Sequence, residues 1–189
     1  MTSGRWLFSR AVWWTAAGLV LLVLGGAVLL WSRPWAGDRV DTPGCDQLTA
    51  ALPPGDGAWS VQQVSSREVS TSSTTCLFGL RSADGRFTGT VRVFLLGSSD
   101  EQKLRDELEQ SQCYGTADQI VTTLTLQARK ACTDLTQTKV LTRLTAIAGQ
   151  RYTAVDTDLT GQPQSDLVAY SRQVRLHTAE QALTTPAED

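Results

Sequence analysis

The chain has 189 residues and a formal net charge of −2, from 17 Lys and Arg against 19 Asp and Glu. All 19 acids and 14 of the bases lie from Asp38 onward, so the distal part is mildly acidic. It has no basic stripe to neutralise phosphates, which argues against nucleic-acid binding. Asn is absent, which excludes N-linked glycosylation.

Residues 1–10 carry Arg5 and Arg10 and no acid. Ala11–Trp31, AVWWTAAGLVLLVLGGAVLLW, is an uncharged run of 21 residues. As a helix it would be roughly 32 Å long, enough to cross a bilayer core of about 30 Å. Trp13, Trp14 and Trp31 stand near its ends, as in an interfacial aromatic belt. The apolar run exceeds the usual signal-peptide core and no small-x-small site follows it, so a retained single-pass anchor is expected, with cleavage as the alternative. Positive-inside counting gives only a small contrast; the cysteines favour a distal domain in an oxidising compartment.

Residues 32–43, interrupted by Pro34, Gly37 and Pro43, read as a linker. Residues 44–180 read as one extracytoplasmic domain and 181–189 as a disordered tail. Within the domain, Asp46–Leu52 predicts a short helix stopped by Pro53-Pro54-Gly55, and Trp59–Val64 a strand. Ser65–Thr75 is either an exposed strand or a loop. Cys76–Arg81 and Phe87–Leu96 predict strands, the second with Val91, Val93 and Leu95 on one side. Ser98 and Glu101, at capping-box spacing, open a helix whose inward side is Leu104 and Leu108. From Ala117 helix and strand compete: Ile120, Val121, Leu124 and Ala128 suit a helix, yet IVTTLTL alternates. Val140, Leu141, Leu144, Ile147 and Ala148 fit a helix, Arg151–Thr157 a strand, and the alternation through Leu167–Leu176 a final strand. The sum is an α+β fold: one N-terminal transmembrane helix, then an antiparallel sheet with a few helices. Its candidate core comprises Val91, Val93, Leu95, Leu104, Leu108, Leu124, Leu144, Val174 and Leu176.

Residues able to carry catalysis are sparse. The single histidine, His177, has no nucleophile motif near it, and neither GxSxG nor SxxK occurs. It reads as a surface residue at a strand end. Asp156 and Asp158 come nearest to a carboxylate pair and read as solvated strand-end charges. No CxxC, second histidine, glycine-rich phosphate loop or DxDxD run is present, so no catalytic, metal or cofactor residue is assigned.

Cys45, Cys76, Cys113 and Cys132 allow three disulfide pairings. Sequence neighbourhood favours Cys45–Cys76 and Cys113–Cys132, each contributing roughly 3 kcal/mol in the chain-entropy model. Cys45-Asp46-Gln47-Leu48 before a Leu/Pro break, with Cys76 opening an aromatic-containing strand, resembles secreted actinobacterial domains of unknown function. These are often lipoproteins, and similar folds occur as extracellular sensor domains of mycobacterial kinases. The resemblance spans about residues 45–96 and implies an α+β sandwich with stapled cysteines and ligand sensing.

The expected function is a membrane-anchored extracytoplasmic module, tied to the lipid bilayer through residues 11–31. It would bind an envelope protein or small ligand without catalysis. The alternatives are an accessory subunit of a membrane complex and an envelope hydrolase built on His177.

Overall fold

Thr, Val, Phe and Ser dominate the stretches between Trp59 and Gly97, and such residues favour extended backbone on a pleated, half-buried surface. A computed structural model describes residues 38–54, 57–122 and 124–187. In it these stretches form β1 (Trp59–Ser70), β2 (Ser73–Ser82) and β3 (Phe87–Gly97). They are followed by β4 (Thr116–Ala117), β5 (Ala128–Leu135), β6 (Lys139–Ala148) and β7 (Arg151–Gly161). The strands pair in a single seven-stranded sheet of order β1-β2-β3-β7-β6-β5-β4, antiparallel throughout. Three helices complete the described part: α1 (Cys45–Ala51), α2 (Glu101–Gln110) and α3 (Gln164–Thr184). The expected antiparallel α+β architecture is therefore present from Asp38 on. The expected transmembrane segment 11–31 lies outside the described residues, among which no helix is long and apolar enough to cross a membrane.

Because side chains alternate across a strand, each residue of the sheet belongs to one of two faces. The first face carries Phe78, Val91, Val93, Leu95, Leu144, Val155 and Leu159, packed against Leu167, Val174 and Ala182 of α3 and Leu48 of α1. Each such aliphatic side chain, fully buried, stabilises the fold by about 1.5–3 kcal/mol. The second face is covered at one end only. There Leu104 and Leu108 of α2 close over Leu96, Ile147 and Tyr152. Asp100, two residues past the expected Ser98 cap, accepts hydrogen bonds from the amides of Gln102 and Lys103 and starts this helix.

Three expectations are corrected. The final strand over Leu167–Leu176 is instead the first part of α3. Its buried side is Leu167, Ser171, Val174, Arg175, Thr178, Ala179, Ala182 and Leu183, a helical stripe containing small and polar residues that an apolar-only count misses. Helix α3 also runs past 180 to Thr184, with Ala182 and Leu183 buried where a tail was expected. Conversely, Val140–Ala148 is not a helix but β6. Both faces of this strand are buried near α2, so Leu144, Thr145, Ala146 and Ile147 form an unbroken buried run and the period-2 signal is lost. Residues 118–127 form neither element as far as they are described, and Leu124 and Leu176 are half-buried rather than core.

Two polar arrangements sit in the first face. The hydroxyls of Thr142, Thr157 and Ser171 bond one another, at 2.6 Å between the threonines and 2.7 Å from Thr157 to Ser171. Farther along, Arg175 is 3% exposed and reaches Asp118 at 3.0 Å and the Cys132 carbonyl at 3.0 Å. Arg172 and the Thr133 hydroxyl also bond Asp118, which ties the loop after β4 to α3. Burial pushes the Asp118 carboxyl up, but the hydrogen bonds from Thr133, Arg172 and Arg175 outweigh it, leaving the group below its ordinary value.

Replacing Asp118 by Asn should cost about 3–5 kcal/mol at neutral pH, because it strands a buried guanidinium. The stabilisation from a depressed carboxylate is complete above its unfolded value near 3.9 and fades as pH falls through its folded value. Denaturation curves of wild type and Asp118→Asn should therefore converge in acid; a constant difference down to pH 2 would contradict the ion pair's role.

The segment before α1 crosses the end of β3, with the Val40 amide donating to the Gly97 carbonyl. A Cβ at Gly97 would lie 1.9 Å from the Val40 carbonyl oxygen, so only glycine permits the crossing. Gly97→Ala should cost about 1–3 kcal/mol in chemical denaturation and free the amides of residues 40–42 to exchange.

Candidate functional site

Beyond the end of α2 the second face of the sheet is uncovered and forms a groove of about 380 Å³. Its floor follows from strand register. Arg92 of β3, Asp156 of β7 and Arg143 of β6 stand side by side in one row, and Thr90, Asp158 and Leu141 in the next. Leu77 borders the groove on β2 and Asp134 on β5. Tyr114, 60% exposed, forms a wall.

The charges on this floor are mostly matched. Arg143 forks onto both oxygens of Asp156, at 2.5 and 2.9 Å, and gives its remaining arm to the Gln112 carbonyl at 3.1 Å. Hydrogen bonding to Asp156 holds the Arg143 guanidinium above its usual value. The Tyr114 ring lies 5.7 Å from that guanidinium, within cation–π reach. Lys139 pairs with Asp158 at 2.7 Å. Asp156 and Asp158 are thus paired mid-strand residues, not the strand-end charges expected.

Cys45 pairs with Cys76 and Cys113 with Cys132, each with Cα atoms 5.7 Å apart. These are the pairs that sequence neighbourhood favours, and they do different work. Cys45–Cys76 fastens α1 to β2 within the first face. Cys113–Cys132 ties the segment carrying Tyr114 to β5, beside the groove. Gly115 completes that tether: its φ is +83°, and a Cβ there would lie 2.3 Å from the Thr133 carbonyl oxygen.

His177 is corrected from a strand-end surface residue to a half-buried residue of α3. Its ring meets Trp59 edge-on at 5.3 Å, and its Nε2 is buried without a hydrogen-bond partner. Tyr170 packs on the same Trp59 at 6.0 Å, and burial pushes its phenol up to about 12. Among the described residues, no nucleophile bonds His177 Nε2.

A second cavity of about 570 Å³ lies beside residues 117–121. Two of its polar groups are already engaged, Asp118 by the two arginines and Lys130 by the carbonyls of Leu108 and Glu109. Among the described residues, no group of three or more His, Cys, Asp or Glu could hold a metal ion.

No protein-family model, curated protein or solved structure matches the chain. The alternation around Arg92 marks it as facing away from the apolar side but does not reveal the groove. What was missing is strand order, since β3 and β7 are neighbours only through a connection of more than fifty residues.

Replacing Cys113 and Cys132 together by Ala should lower stability by about 3 kcal/mol, the chain-entropy value for a loop of this size. Amide exchange at Tyr114 and Gly115 should quicken, while that of β3 and β7 is retained. An unchanged melting temperature and unchanged exchange would contradict the tether's role.

Proposed function

We propose that the chain is an extracytoplasmic, membrane-anchored binding module, and that the open half of the second sheet face is its binding surface. The uncovered groove carries this reading. Ligand sites are concave and largely preformed, with apolar walls and a few placed polar groups; Leu77, Leu141 and Tyr114 supply the first and the arginines and aspartates the second. The disulfides suit an oxidising compartment, and the 11–31 run suits an anchor.

A photoreactive residue at Leu141 in the full chain, expressed in cells, tests the reading. It should give discrete adducts that the same residue at Gln173, on the exposed side of α3, does not. Adducts equal at both positions, or none from Leu141, would contradict it. A protease that cannot enter intact cells should remove the part from Asp38 on; its protection would contradict the topology.

A further inference from the structure

Within the groove the inner charges satisfy one another, Arg143 with Asp156 and Lys139 with Asp158. One charge of each sign is left over, at opposite ends. Arg92 is exposed and stands opposite Asp156, whose two oxygens are taken by Arg143. Among the described residues, the Arg92 guanidinium has no ion pair or hydrogen bond, and neither has the Asp134 carboxylate. Strands β3, β7, β6 and β5 are consecutive neighbours. Arg92 and Asp134 are thus three strand spacings apart, and Asp134 lies one row further along than Arg92's own row. At about 4.8 Å per strand and about 7 Å per two residues, their backbones are roughly 16 Å apart. Between them lie Leu141, 37% exposed, and the Tyr114 ring, while Leu77 of β2 stands beyond Arg92.

We propose that the groove binds a short extended peptide of four or five residues with free termini. Its carboxylate would meet Arg92 and its ammonium Asp134. Four or five extended residues at about 3.4 Å each span the required distance, and a guanidinium is suited to grip a carboxylate in a fork. Side chains of such a peptide would rest on Leu141 and Tyr114, and the half-buried Thr90 hydroxyl offers its backbone a partner. The inference rests on the open half-face being the binding surface.

The test is calorimetric titration of the full chain with the pentapeptide Ala-Leu-Ala-Leu-Ala. Matched forms are amidated at the C-terminus or acetylated at the N-terminus. Each block should weaken binding about five- to tenfold. Arg92→Ala should cost as much as amidation and nothing more when the peptide is already amidated; Asp134→Ala should stand in the same relation to acetylation. Both variants should keep the wild-type melting temperature. Failure of the free peptide to bind, equal binding of blocked and free forms, or additive losses would overturn the proposal. Adducts from Leu141 with no peptide binding would reject the peptide alone, whereas loss of both would reject the surface.

Discussion

The pairing of β3 with β7 is the constraint on which the rest depends. It joins the hairpins β1-β2-β3 and β5-β6-β7 into one sheet, over eleven consecutive register pairs from Phe87–Gly161 to Gly97–Arg151. Once that register is set, the pleat decides everything on either side of it. Val91, Val93 and Leu95 go under α3 with Val155 and Leu159, while Arg92 and Asp156 go to the opposite face. A slip of one residue would exchange the two sets, placing a guanidinium and a carboxylate against Leu167, Val174 and Ala182 of α3. That alternative is too costly to compete.

Coverage of the two faces is unequal because the helices are. Helix α3 has 21 residues and crosses β7, β6 and β3, whereas α2 has 10 and shields only the Leu96–Tyr152 end. A sheet that packs one face on a core can leave the other to water if its outward residues are polar. The open half follows that rule with Thr90, Arg92, Arg143, Asp156 and Asp158, but departs from it at Leu141 and Tyr114. The same economy operates on the covered face, where Arg175 is tolerated in the core because Asp118 and the Cys132 carbonyl receive it.

The elements legible in the sequence were those with a single clean period. Phe87–Leu96 alternates because one side is apolar and the other is not, and Leu104 and Leu108 mark a helix lying on a surface. The period is obscured where burial is two-sided or polar. Strand β6 is buried on both faces near α2, so its apolar residues run together and imitate a helix. Helix α3 hides Ser171, Arg175 and Thr178; the first two bond partners far away in sequence, and no local pattern announces them. The cysteine pairs could be favoured from neighbourhood alone. The groove could not, since it requires knowing that β7 lies between β3 and β6.

Hydroxyl-radical footprinting of the full chain tests most directly the claim that half of the second face is open. It reads side-chain solvent access without altering a residue. Tyr114 and Leu141 should oxidise readily, while Tyr152 and Ile147, 3% and 1% exposed beneath α2, should be protected. Protection of Tyr114 and Leu141 equal to that of Tyr152 and Ile147 would contradict the account.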